Sequence, residues 1–138
     1  MRIDFGATAT DYAKHCAGFP SSLFNKLSEY GIGLPGQNIV DLATGTGTLA
    51  RGFADRGAYV IGIDRSASLL EQASQLSESA QLKVDYRVAT AENTELPDSS
   101  ADVVTAGQCW HWFDRLRVVQ EIIRILRRNG LIAIAHFD

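Results

Sequence analysis

Only two cysteines occur in this chain of 138 residues, Cys16 and Cys109, and they fit neither a disulfide framework nor a zinc-ligand spacing. They read as buried or half-buried thiols of a reducing compartment, and no metal site is expected. Long apolar runs are missing too. No stretch approaches the roughly 18 residues of a membrane span, and the N-terminus has no signal-peptide core. A basic surplus is also lacking: the formal net charge is -3, and no cluster of Lys and Arg stands ready to neutralise phosphates. Nucleic acid and membrane are therefore excluded as expected partners. What remains is 46% hydrophobic and 21% charged, too apolar for a disordered chain. At this length one domain is expected, burying roughly 68–70% of its unfolded surface. The expectation is a single soluble, cytoplasmic domain over residues 1–138, with an N-terminal cap segment and helix over 1–36 and a core over 37–138.

Strand and helix signals alternate along the chain. Pro20 to Tyr30 puts Leu23, Phe24, Leu27 and Tyr30 on one helical face, and Gly31 stops it. Asn38 to Leu42 reads as a short apolar strand, and Thr48 to Arg56 as a helix ended by Gly57. Ala58 to Ile63 is the next strand, closed by Asp64. Ser66 is placed to cap a helix carrying Leu69, Leu70, Ala73 and Leu76. Val84 to Ala89 and Val103 to Ala106 read as strands on either side of a turn-rich connection. Asp114 is placed to cap the longest helix, with Leu116, Val119, Ile122, Ile123 and Leu126 as its apolar stripe and Asn129-Gly130 as its stop. Its arginines mark a solvated face, and Arg127 and Arg128 suit the negative end of the helix dipole. Leu131 to Phe137 is the last strand. Such alternation predicts an α/β fold with a mainly parallel sheet covered on both faces, a Rossmann-like three-layer sandwich.

The stretch "IVDLATGTGTLA", Ile39 to Ala50, then falls at a strand-to-helix turn, where open α/β sheets bind ligands. Two ligands compete for it. Gly45-x-Gly47-x-x-Ala50 satisfies the dinucleotide pattern, and Asp64 lies 64 − 45 = 19 residues past Gly45, a suitable distance for a ribose-binding acid. Asp41, at the mouth of the loop, tips the balance. A carboxylate there repels a pyrophosphate and attracts the ammonium of a methionine moiety, and such alternatives differ by several kcal/mol when partly buried. The acid favours S-adenosylmethionine.

With these residues in hand, "VDLATGTGTLA" resembles the first motif of the class I S-adenosylmethionine-dependent methyltransferases, and Asp64 matches the acid that binds both ribose hydroxyls in that family. The segments "TAENTELPDSSADVVTAGQCWHWFD" and "FGATATDYAKHCAGFP" are similar to the small-molecule branch containing trans-aconitate methyltransferase-like proteins. The resemblance implies cofactor contacts at Asp41, Ala43, Gly45, Thr46, Gly47, Asp64, Arg65, Ala91, Glu92 and Gln108, and Tyr12 reads either as a contact to the cofactor's carboxylate or as a hydrophobic lid residue. Three positions depart from the pattern. Ala43 replaces the first motif glycine, which keeps the backbone approach open if its φ is negative. Thr90 stands where relatives carry an acid facing the adenine amino group, leaving that role to the backbone at Ala91, to Glu92 and to apolar walls. Cys16 replaces a common arginine.

Methyl transfer from a sulfonium is an in-line displacement, so alignment of acceptor and methyl group does most of the work, about 7–11 kcal/mol in well-oriented systems. A carboxylate acceptor needs no base; a hydroxyl does. His111 is the candidate base, since it follows the strand end at Gln108. Trp110 and Trp112 read as packing or pocket wall, and His15 and His136 as structural or surface groups. The favoured reading is O-methylation of a small-molecule acceptor. Against it stand a non-catalytic or truncated S-adenosylmethionine-binding domain and an NAD-dependent oxidoreductase. The resembled fold normally carries two further strands after the one at Leu131 to Phe137, and the present sheet is expected to lack them. That uncharged apolar edge should then drive self-association into a homo-oligomer, unless the N-terminal segment folds across it.

Overall fold

The computed structural model describes residues 2–4, 19–106 and 114–136. Six strands form one sheet in the order β1-β6-β5-β2-β3-β4. They are β1 (Arg2–Asp4), β2 (Asn38–Leu42), β3 (Tyr59–Asp64), β4 (Asp85–Val88), β5 (Ala101–Ala106) and β6 (Leu126–His136). Every pairing is parallel. The helices are α1 (Ser21–Glu29), α2 (Thr48–Asp55), α3 (Ala67–Ser79) and α4 (Arg115–Ile125).

Alternation along the central strands sends successive side chains to opposite faces, and each face has its own core. Ile39, Val60 and Val103 join Phe24 of α1 and Phe53 of α2 on one side. Val40, Ile63 and Val104 join Val118, Ile122 and Ile125 of α4 on the other. The expected α/β sandwich is thus the observed one. Phe24 and Phe53 meet edge to face, with ring centroids 5.3 Å apart, and the missing side chain of Gly52 makes room for Phe24. Burying a phenylalanine of this kind contributes roughly 1.5–3 kcal/mol.

Local chemistry explains the element ends that the sequence foretold. Ser66 accepts a bond from the Leu69 N–H at 3.3 Å, and Asp114 accepts one from the Arg117 N–H at 3.4 Å, so both act as helix caps. Gly31 adopts φ +80°, and its N–H closes on the Ser28 carbonyl to end α1.

α4 departs from expectation in three ways. It stops at Ile125 rather than at Asn129-Gly130, and at 11 residues it is shorter than the 13 of α3. The Ser99 and Ser100 N–H groups take the Arg124 and Ile125 carbonyls at 2.9 and 2.8 Å, and Leu126 is already extended and paired with Ala101. The helix therefore ends where another segment claims its last carbonyls. Arg127 consequently lies in β6, where it pairs with Asp102 at 3.1 Å instead of facing a helix end. The buried face is also different: Val118, Glu121, Ile122 and Ile125 point inward, while Leu116, Val119 and Ile123 are 68%, 41% and 67% exposed.

The C-terminal edge has a neighbour that the sequence did not foretell as a strand. Arg2–Asp4 runs parallel to Ile134–His136, the competing outcome for this edge. Among the described residues no helix is long and apolar enough to cross a membrane.

Candidate functional site

β2 lies between β3 and β5, so the direction of sheet growth reverses beside it and a crevice opens at its C-terminal end. The chain leaves Leu42 and turns through Ala43 to Gly47 into α2. The bonds that shape this turn come from a neighbouring strand, from the turn itself and from the helix that follows. The Thr44 N–H donates to the Ile63 carbonyl at 2.8 Å, and the Gly47 N–H donates to the Thr44 carbonyl at 2.9 Å. Arg51, one turn into α2, holds the Thr46 carbonyl through Nη1.

Both motif glycines sit at positive φ, +60° at Gly45 and +81° at Gly47, and packing adds a second reason at Gly47. A Cβ on Gly47 would strike the Tyr86 hydroxyl, which is itself bonded to Ser77 Oγ at 2.8 Å, so the protein's own packing excludes a side chain there. A Cβ on Gly45 would meet nothing within 4 Å. At Gly45 the φ of +60° alone favours glycine, and the space before it is open.

Asp64 ends β3 facing this loop. Its Oδ2 accepts the Gly45 N–H at 2.9 Å and its Oδ1 accepts the Ser66 N–H at 2.8 Å. The carboxylate is thereby fixed in orientation, and each oxygen keeps a second lone pair for a ligand. Beside it lies a cavity of about 380 Å³, lined by Ala43, Asp64, Arg65, Ala91 and Glu92 among the residues expected from the sequence. That volume is within the range of small-molecule sites. Ile63, Ser66, Leu69, Ala89 and Thr90 complete the lining. Ile63, Ser66 and Thr90 adjoin the expected positions in sequence, Ala89 lies two residues before Ala91, and Leu69 comes from the first turn after the Ser66 cap. Gly45, Thr46 and Gly47 form the loop next to the cavity without lining it. Tyr12, Gln108 and His111, like Cys16, Trp110 and Trp112, lie outside the described residues.

Asp41 is not at the loop mouth, as the sequence suggested, but beneath the loop and only 3% exposed. Thr44 Oγ1 donates to its Oδ2 and Thr105 Oγ1 to its Oδ1, each at 2.7 Å. Burial pushes its pKa up from 3.8 to about 6; the Thr105 and Thr44 hydroxyls oppose the rise, and the charge of Asp64 adds to it. Asp41 thus lies beneath the loop and not on its rim.

Ala43 also corrects an expectation. Its φ is +53°, so the approach is not kept open by a negative φ; the alanine sits in left-handed backbone. That conformation costs an L-residue about 1–2 kcal/mol, partly offset by the extra chain entropy glycine loses. Ala43→Gly should therefore stabilise the protein by roughly 0.5–1 kcal/mol, read as a higher urea midpoint at unchanged slope. A lower midpoint would show that the methyl packing outweighs the strain.

Among the described residues no group of three His, Cys, Asp or Glu could hold a metal ion. Comparison with known proteins agrees with the geometry. Residues 40–134 match the family model described as a methyltransferase domain. An uncharacterized methyltransferase of Mycobacterium tuberculosis is 28% identical over 134 residues, covering 97% of this chain and 52% of the relative. A ubiquinone biosynthesis O-methyltransferase of Alkalilimnicola ehrlichii is 32% identical over 131 residues, covering 92% of this chain and 47% of the relative. The chain thus spans about half the length of these relatives. Among solved structures, an S-adenosylmethionine-dependent methyltransferase from Mesorhizobium loti superposes with a TM-score of 0.62 at 29% identity, covering 70% of this chain and 45% of the other. With a family model matched across most of its length, on a parallel sheet with an open cavity beside its central turn, the chain belongs to the methyltransferase domain family.

Proposed function

We propose that this chain binds S-adenosylmethionine beyond the ends of β2 and β3 and acts as the cofactor-binding part of a small-molecule methyltransferase. The observation that carries the reading is Asp64: a carboxylate held by two backbone N–H groups at a cavity lip, with lone pairs left for a vicinal diol. The open space before Gly45 suits the methionine end, and Asp41 beneath the loop suits its ammonium. Ala91 and Glu92 line the cavity and are proposed to face the adenine. When bound, the cofactor supplies an electrophilic methyl group on a sulfonium. The residues of this chain orient it, exclude water and, through His111, accept a proton from a hydroxyl acceptor. Tyr12 and Gln108 are proposed as further cofactor contacts.

The relative named as a ubiquinone biosynthesis O-methyltransferase supports an oxygen acceptor. The quoted segments around Thr90 to Asp114 support the trans-aconitate methyltransferase-like branch. A cytoplasmic location remains part of this reading; association through β6 does not, because β1 occupies that edge at Ile134–His136.

Calorimetric titration with S-adenosylhomocysteine, S-adenosylmethionine and NADH tests it. Binding of the first two without the third is expected; NADH binding alone would overturn it in favour of an oxidoreductase. If the chain turns over a hydroxyl acceptor, His111→Ala should lower turnover more than cofactor affinity, whereas collapse of cofactor affinity alone would remove the base assignment. Cofactor binding with no turnover on any acceptor would leave a binding domain.

A further inference from the structure

The wall of the cavity formed by Thr90, Ala91 and Glu92 belongs to a segment, Thr90 to Ser100, with no strand ladder to hold it; a single bridge links Thr90 to Asn93. Something else must fix it. Two residues past Glu92, Thr94 is 2% exposed and is gripped from α4. Glu121 Oε2 accepts both the Thr94 N–H, at 2.7 Å, and the Thr94 hydroxyl, at 2.6 Å. The same hydroxyl oxygen accepts the Leu96 N–H at 3.3 Å. On its other side Glu121 is held by Arg124, Nε to Oε1 at 2.8 Å and Nη2 to Oε2 at 2.9 Å, and Arg124 reaches on to Asp98 at 2.6 Å.

We propose that Glu121 is a positioning residue for the nucleoside wall: by taking both donors of Thr94 on one oxygen, it sets where Thr90 to Glu92 stand against the bound nucleoside. The proposal rests on the S-adenosylmethionine reading of the cavity. Three observations support it. Glu121 is 8% exposed, and both of its oxygens are engaged, so the buried carboxylate is held in one orientation between Arg124 and Thr94. Its ionised state is secured, since Arg124 above all, with the Thr94 donors, lowers its pKa from 4.5 to about 2. Glu95, next to Thr94, is held at φ +63°, a conformation that persists only where bonds on either side over-determine it. Two donors on one acceptor fix the orientation of the Thr94 peptide as well as its distance, and Ala91, which leads into it, is packed in the core with Leu96.

Three variants separate positioning from mere stability. Thr94→Val removes the hydroxyl and keeps the peptide N–H. Glu121→Gln keeps an acceptor for Thr94 and loses the charge facing Arg124. Arg124→Met loses both ion pairs and leaves Glu121 on Thr94. Affinity for S-adenosylhomocysteine and for adenosine is measured by calorimetry well below each melting temperature. Thr94→Val should lose about tenfold for both ligands, about 1.4 kcal/mol. Glu121→Gln should melt lower yet stay within about threefold of the parent, and Arg124→Met should behave likewise. The proposal is overturned if Thr94→Val binds as the parent does, or if Arg124→Met loses as much affinity as Thr94→Val. A parent chain that binds neither ligand would instead overturn the reading of the cavity.

Discussion

Asp41→Asn should yield a protein that melts higher and binds S-adenosylhomocysteine more weakly. The carboxylate is buried, and its pKa is raised from 3.8 to about 6. For an acid raised on folding, the folded state prefers the proton, so ionisation works against the fold. This cost is absent below the unfolded value near 3.8, grows as pH rises, and is complete above about 6. Roughly two pKa units correspond to about 3 kcal/mol as an upper figure. Asparagine keeps one acceptor for the Thr44 or Thr105 hydroxyl, and the other hydroxyl must turn to accept from the new amide. A net gain of about 1–3 kcal/mol at pH 8 follows, shrinking towards nothing near pH 4. Affinity should move the other way by about tenfold or more, because the negative charge under the loop is what favours an ammonium above it. Melting curves at pH 4 and pH 8, paired with calorimetry at pH 8, measure both halves. A lower melting temperature at pH 8 would refute the burial cost, and undiminished affinity would refute the ammonium role.

Asp64→Asn should reduce S-adenosylhomocysteine affinity by about a hundredfold or more. Charge-assisted hydrogen bonds contribute about 1.5–3 kcal/mol each, and two are expected to the ribose. The substitution also disturbs the cradle itself, because the Gly45 and Ser66 N–H groups now use different oxygens. Asparagine offers one oxygen and turns an N–H towards the other donor. Some loss of stability, about 1 kcal/mol, is therefore expected alongside the binding defect. The ribose role is isolated by 2′-deoxyadenosine, which should bind parent and variant much more alike than adenosine does. Adenosine binding within threefold of the parent would remove Asp64 from the ligand.

What could be read from the sequence was local. Asn38 to Leu42 is a strand and Ser66 and Asp114 are caps because each signal lies within a few residues. Ala43, Asp64, Arg65, Ala91 and Glu92 reach one cavity because strand ends in a parallel sheet converge, and spacing reveals strand ends. The inner face of α4 was not legible. Val118, Ile122 and Ile125 keep helical spacing, and so do Leu116, Val119 and Ile123, so periodicity cannot choose between them. The choice involves Glu121, whose partner Thr94 is 27 residues away and carries no sign of the pairing. Asp41 was assigned to the right loop but the wrong depth, since its burial depends on Thr105, 64 residues on. The sign of φ at Ala43 is likewise set by the turn and not by the residue.

The cradle is stitched across strands: Thr44 to Ile63, Gly45 to Asp64, and Thr105 to Asp41. None of these bonds can form while β2 is alone, and the last joins residues 64 positions apart. Closing such loops comes late and slowly in a parallel sheet, because chain entropy is lost before the contacts repay it. A ligand held by this cradle would therefore recognise only a chain whose three central strands have already docked. It could not hasten their docking. Its stabilisation would then fall almost wholly on the escape rate from the native state, so a loaded protein should unfold more slowly while folding no faster.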